Sequence, residues 1–187
     1  MSITNSSLQT RGDRVFIGTY ARYPAAMISG KGCIVRDANG KEYLDFLSGI
    51  AVCSLGHCHP AVTEAICKQA ATLVHVSNLY YTQPQTDLAE ILIANSFADR
   101  VFMANSGAEA NEAAIKLARI ASEKGRHEII SLEGSFHGRT LATVAATGQP
   151  KFHQGFEPLP DGFLHVPFGD LAALANSITN RTCAIMC

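Results

Sequence analysis

Residues 101–118 read Val-Phe-Met-Ala-Asn-Ser-Gly-Ala-Glu-Ala-Asn-Glu-Ala-Ala-Ile-Lys-Leu-Ala, an apolar run that passes through Asn105-Ser106-Gly107-Ala108 into an alanine-rich segment of helical spacing. No other stretch limits the architecture so sharply. A strand that turns directly into a helix is half of a βα unit. The first amides of the helix lack intrahelical partners and sit at the positive end of its dipole. Such a junction binds an anion, and phosphate suits it best. Ser106 adds a hydroxyl, and Gly107 admits close approach of the backbone to a ligand. Neither GxGxxG nor GK[ST] occurs in the segment, so the dinucleotide and P-loop motifs do not describe it.

The pattern after residue 100 repeats strand and helix. Val101 to Ala104 predicts a strand, and Ala108 to Lys124 a helix closed by Gly125. Glu128–Leu132 predicts a second strand, joined through Gly134-Ser135-Phe136-His137-Gly138-Arg139 to a short helix over Thr140 to Ala146. Phe163–Val166 is strand-like, Asp170 is placed to cap a helix over Leu171 to Ile178, and Thr182 to Cys187 reads as a buried strand in which the sequence stops. This alternation implies an α/β class: a mostly parallel sheet covered by helices and linked by right-handed crossovers.

The N-terminal part has a different grammar. Met1 to Arg11 is rich in Ser, Thr, Asn and Gln and predicts a loose arm, with order beginning near Val15. Residues 33–37 and 41–45 flank Ala38-Asn39-Gly40, a hairpin signal because Asn and Gly both tolerate positive φ. Ala61 to Leu73 and Asp87 to Ser96 carry apolar residues at helical spacing. Between them Ser77 to Thr82 is a polar and aromatic connector, suited to a surface loop, a site lining or a subunit contact. We place the boundary at 60/61, between an arm with a small antiparallel segment (1–60) and the α/β region (61–187).

Composition narrows the function. A formal net charge of -1 over 187 residues gives no electrostatic reason to expect nucleic acid or an acidic membrane. Hydrophobic residues make up 47%, enough for a core, yet no apolar run approaches the roughly 20 residues of a membrane span. The N-terminus lacks the basic and apolar regions of a secretory signal, which leads us to expect a cytoplasmic chain with free thiols at its six cysteines. Gly56-His57-Cys58-His59-Pro60 crowds two imidazoles and a thiol, but no second ligand pair follows at zinc spacing. It reads as a tight turn into a helix with proline in its first turn.

In parallel sheets, ligands collect at the carboxyl ends of the strands, where both the Ser106-Gly107-Ala108 and the Phe136-His137-Gly138-Arg139 loops fall. Phe136 offers an aromatic face for stacking, and Arg139 a fork matched to a carboxylate. Each also has a plainer explanation: Phe136 as core, His137 as a satisfied turn histidine, Arg139 as surface charge.

Six segments in order carry a family likeness: residues 40–46 (GKEYLDF), 48–52 (SGIAV), 55–60 (LGHCHP), 77–82 (SNLYYT), 105–113 (NSGAEANEA) and 136–140 (FHGRT). Together they resemble the class III pyridoxal-phosphate aminotransferases over nearly the whole chain. The resemblance implies the N-terminal part of the type I fold of pyridoxal-phosphate transferases. It implies that Ser106, Gly107 and Ala108 hold the cofactor phosphate, that Phe136 stacks on the pyridine ring beside His137, and that Arg139 holds a substrate α-carboxylate. It further implies a homodimer with its site at the subunit interface, 2-oxoglutarate as amino acceptor, and ping-pong transfer. The small residues of Ser48 to Gly56 look most like the branch whose donor is N-acetylornithine. Ornithine, succinylornithine and 4-aminobutyrate are the alternative donors.

Two family features have no match here. The lysine that anchors the cofactor covalently and the aspartate that pairs with its ring nitrogen lie downstream of the last strand in the family, and Lys31, Lys41, Lys68, Lys116, Lys124 and Lys151 match neither position nor context. The 187 residues alone are therefore expected not to transaminate. A non-catalytic fragment acting as a binding or assembly unit is the alternative from a different class.

Overall fold

The computed structural model describes residues 3–187, and Met1 and Ser2 lie outside the described residues. The chain divides into two compact units, with the division after Tyr81, later than the 60/61 boundary read from the sequence.

The first unit opens with a helix where the sequence suggested a loose arm. Asn5–Val15 (α1) is capped by Thr4, whose hydroxyl accepts from the Ser7 amide at 3.1 Å while Ser7 Oγ accepts from the Thr4 amide at 3.0 Å. Asn5 then ties the helix to the sheet. Its Nδ2 donates to Asp37 Oδ2 at 2.9 Å, and its Oδ1 accepts the amides of Ala26 and Ala38. Three of the polar residues that looked like a solvated tail, Thr4, Asn5 and Ser7, are consumed by capping and tertiary hydrogen bonds. Order therefore starts well before Val15, which ends the helix.

Three strands, Met27–Lys31 (β1), Ile34–Asp37 (β2) and Glu42–Leu44 (β3), form an antiparallel sheet in the order β1-β2-β3. The predicted hairpin is β2-β3, with Val35 opposite Tyr43 and Gly40 at φ 87° in its turn. Strand β1 was missed, because Met-Ile-Ser-Gly-Lys lacks alternation. Beyond it, Ser48–Ala51 (α2) is a single turn whose four residues all have positive φ, Ile50 at 59° among them. Such a turn disfavours L-residues, and a β-branched one above all. Asp45 braces its entry: Oδ1 accepts the amides of Leu47 and Ser48 at 2.8 and 2.9 Å, and Oδ2 meets His57 Nε2 at 2.6 Å. Helix Pro60–Ala70 (α3) begins at the predicted proline and stops three residues short of the predicted Leu73.

The second unit starts with helix Gln83–Ala94 (α4), four residues ahead of the predicted Asp87, with Pro84 in its first turn. Residues 101–104 are not a strand. A strand requires a hydrogen-bonded neighbour, and no described residue pairs with this segment. Helix Gly107–Ala121 (α5) follows, ending before Lys124, with Ser122 extended and Gly125 in a later turn at φ 97°. Strands Glu128–Leu132 (β4), Phe163–Val166 (β5) and Thr182–Met186 (β6) form a wholly parallel sheet in the order β5-β4-β6. This is the parallel sheet that the alternation required. Strand β6 is less buried than predicted, with Ile185 exposed at one edge of the sheet.

Central strand β4 and helix Leu141–Ala146 (α6) supply most of the buried apolar side chains: Ile129, Ile130, Val144, Ala145 and Ala146, joined by Ile115 and Val166. Ser131 Oγ donates to the Ala146 carbonyl at 2.5 Å, fixing strand to helix inside that core. Helix Leu171–Ser177 (α7) is capped as expected, Asp170 Oδ1 accepting the Ala173 amide at 2.8 Å.

Candidate cofactor site

The N-terminus of α5 is held open by its own capping residues. Ser106 Oγ accepts the Glu109 amide at 3.2 Å, and Glu109 Oε2 accepts the Asn105 amide at 2.7 Å, a reciprocal pair that fixes the entry of the chain. The amides of Gly107 and Ala108 make no hydrogen bond with any described residue. Two donors at the positive end of a four-turn helix are thus left for an anion.

The second predicted loop leaves the carboxyl end of β4 and lies directly on this helix end. Gly138, at φ 138°, is pressed so close that an added Cβ would stand 2.8 Å from Ala108 Cβ and 2.6 Å from Thr143 Oγ1. Only glycine allows that approach. His137 is clamped through its backbone: its amide donates to Thr147 Oγ1 at 2.9 Å and its carbonyl accepts from Asn111 Nδ2 at 2.8 Å. The ring is buried, and desolvation, aided by the nearby His165, pushes its pKa below the ordinary histidine value. Its Nε2 finds no partner among the described residues. His137 is a neutral, packed ring at physiological pH.

Phe136 behaves differently from the core residue of the plainer reading, being 54% exposed. Its ring meets Phe152 edge-on with centroids 5.6 Å apart, and the Arg139 guanidinium lies 4.7 Å from the Phe152 centroid and 5.9 Å from that of Phe136. A flat apolar surface and a cation are therefore presented together. A cleft of about 850 Å³ opens beside them at the carboxyl ends of β4 and β6, lined among others by Asn111, Ser135, Phe136 and His137.

Residues 19–186 match the family model described as aminotransferase class III. The chain belongs to this family. It is 57% identical over 171 residues to the acetylornithine aminotransferase of Methanocaldococcus jannaschii, covering 89% of this chain and 43% of that protein. It is 55% identical over 175 residues to the corresponding protein of Methanothermobacter thermautotrophicus, covering 93% and 44%. The chain thus spans somewhat under half the length of these relatives. Among solved structures, ornithine aminotransferase from Toxoplasma gondii superposes with a TM-score of 0.91 at 28% identity, over 98% of this chain and 45% of that one. Taurine:2-oxoglutarate aminotransferase from Bifidobacterium kashiwanohense, solved with PLP and glutamate, gives 0.79 at 27% identity, over 96% and 41%.

Class III aminotransferases use pyridoxal phosphate, and the cluster in this chain fits that cofactor. The unpartnered amides of Gly107 and Ala108 suit its phosphate, and the exposed face of Phe136 suits its ring. The predicted residues Ser106, Gly107, Ala108, Phe136, His137 and Arg139 all lie within the second unit. Sequence reading missed Asn111, Glu112 and Thr140, which join the two loops, and Phe152, which packs against Phe136 and Arg139. The signal for the first two was present: they follow Gly107 and Ala108 by four residues and so share their helical face.

Proposed function

We propose that this chain is the cofactor-cradling N-terminal portion of an aminotransferase that moves the terminal amino group of N-acetylornithine to 2-oxoglutarate by a ping-pong mechanism. The carrying observation is the contact of Gly138 with Ala108, which brings the anion-binding helix end and the aromatic loop to one place. High identity to proteins named acetylornithine aminotransferase supports the choice of donor. Small residues at Ser48 to Gly56 agree with an acylated donor.

Within that reading Gly107, Ala108 and Ser106 bind the phosphate, and Phe136 covers one face of the ring. Buried His137, neutral and held through its backbone, sets the register of the loop. Arg139 binds the α-carboxylate, leaving its ring contacts with Phe136 and Phe152 to reach it or using them to stay aligned. Bound pyridoxal phosphate supplies the electron sink that lets an amino group be taken up from one substrate and given to the next. The six lysines provide no covalent anchor for it in the family's position, so the 187 residues bind the cofactor without transaminating. We further propose that the whole protein is a cytoplasmic homodimer.

Steady-state kinetics on full-length protein with N-acetylornithine, N-succinylornithine, ornithine and 4-aminobutyrate as donors tests the assignment. The expected result is the highest kcat/KM with N-acetylornithine, and a preference for free ornithine overturns it. Glutamate formation by the purified 187-residue chain would overturn the proposal that it is inactive.

A further inference from the structure

We propose that Asn111 and Glu112 are positioning residues that lock the Phe136–Thr140 loop onto the first turns of α5, so that the anion cup and the aromatic face grip a single molecule. The inference rests on the cofactor reading above.

The loop is held from two sides, and the two sides have different consequences. Toward α6 its contacts are largely local: the Thr140 amide donates to Thr143 Oγ1 at 3.0 Å, and Thr143 Oγ1 donates to the Thr140 carbonyl at 3.1 Å, closing a capping box. The His137 amide likewise reaches Thr147, at the end of the same helix. These bonds shape the loop around α6 but say nothing about where α5 lies. Toward α5 the hydrogen bonds are Asn111 Nδ2 to the His137 carbonyl, at 2.8 Å, and Thr140 Oγ1 to Glu112 Oε1. They span 26 and 28 residues of sequence.

Helical geometry makes these two side chains the natural agents. Asn111 stands four residues after Gly107, and Glu112 four after Ala108, so each projects from the face that carries one of the free amides. A shift of the loop against α5 moves Phe136 relative to the phosphate donors by the same amount. Misplacement of about 1 Å is enough to cost a site much of its effect. Gly138 makes the approach sterically possible, and the Asn111 and Glu112 bonds give it a direction. Both side chains are only partly buried, so removing them leaves the apolar core of the unit in place.

The test compares the parent chain with Asn111→Ala/Glu112→Ala, Glu112→Ala and Glu112→Gln. Two probes separate cup from ring: inorganic phosphate, which needs only the cup of amides and the Ser106 hydroxyl, and pyridoxamine phosphate, which needs the cup and Phe136 together and lacks an aldehyde to react with surface lysines. The carbonyl carbon shift of His137, whose oxygen Asn111 holds, reports the brace itself. The double variant is expected to bind pyridoxamine phosphate about tenfold more weakly, with phosphate binding unchanged and the His137 carbonyl shift moved. Glu112→Gln keeps an oxygen acceptor for Thr140 and is expected to stay near the parent while Glu112→Ala does not. Equal loss of both ligands, or equal damage from the Gln and Ala variants, overturns the proposal. Should the parent bind neither probe, the cofactor reading fails; an unchanged His137 carbonyl shift in the double variant would independently remove the brace.

Discussion

The two units solve the problem of a small fold in opposite ways. In residues 3–81 the residue that is most completely enclosed is a carboxylate, Asp37, 1% exposed, which accepts hydrogen bonds from the Asn5 amide group, the Tyr43 hydroxyl and the backbone amides of Asn39 and Lys41. In residues 82–187 seven enclosed side chains are apolar and centre where β4 meets α6, with the hydroxyls of Ser131, Thr143 and Thr147 hydrogen-bonded among them. One unit is organised around a charge and the other around an apolar core with its hydroxyls paired inside. The difference predicts that acid, cavities and loop changes strike them unequally.

The largest effect is expected from Ile130→Ala, which empties a fully buried site on the central strand of the second unit. The cost is about 2–5 kcal/mol, read by denaturant unfolding, with amide exchange rising in β4 to β6 and not in β1 to β3. Uniform loosening of both units would break the comparison.

Asp37→Ala should do the reverse. It removes the acceptor that fastens α1 to the sheet, so exchange should rise across Asn5–Val15 and the Asn39-Gly40 turn while β4 stays protected. Unchanged exchange in α1 would show that the carboxylate is not its anchor.

Gly138→Ala places a methyl group against Ala108 and Thr143 at a φ that only glycine adopts freely. The loop must lift, and weaker binding of pyridoxamine phosphate is expected with little change at the antiparallel sheet. Retained affinity would show that the contact between loop and helix does not matter for the ligand.

Acid titration sharpens the contrast by its sign. Hydrogen bonds, that of Asn5 first, outweigh burial and hold the Asp37 carboxyl down at about 2. Its contribution is complete above the unfolded carboxylate range near pH 4 and is lost as pH falls toward 2. His137 is lowered instead by desolvation, so the unfolded chain takes up its proton first and the second unit begins to lose stability below about pH 6.5. Far-UV and exchange measurements should find the parallel sheet weakening at higher pH than the α1 contact. The opposite order would refute the assignment of these two groups.

The smallest expected change is from Ser106→Ala, which removes the side-chain cap of α5 at a cost of about 1 kcal/mol while leaving the Gly107 and Ala108 amides in place. Phosphate binding should fall only by the contribution of the hydroxyl.

Legibility followed the range of the interactions. The β2-β3 hairpin, the start of α3, β4, β5 and the Asp170 cap were readable because turn chemistry, proline and capping act over a few residues. The Phe-His-Gly-Arg turn after β4 was placed by the same kind of signal, whereas Ser106-Gly107-Ala108 was read from a strand that did not form and a helix start that did. What failed depended on distant partners. Helix α1 was hidden because its polar residues look solvated until Asn5 meets Asp37, 32 residues away. Residues 101–104 look like a strand locally, but a strand exists only where another supplies its hydrogen bonds.

The sequence by itself determined the strand and helix alternation from Glu128 onward, the parallel sheet and, through ordered motifs, the class III likeness. Local propensity and short-range spacing are written residue by residue, so they survive without coordinates. Only the tertiary structure decided that Gly138 rests on Ala108, that Asn111 and Glu112 hold the loop there, that Phe136 is exposed beside Phe152 and Arg139, and that a buried carboxylate anchors the N-terminal helix. Those facts join residues dozens of positions apart, and packing alone selects which of the many compatible pairs meet.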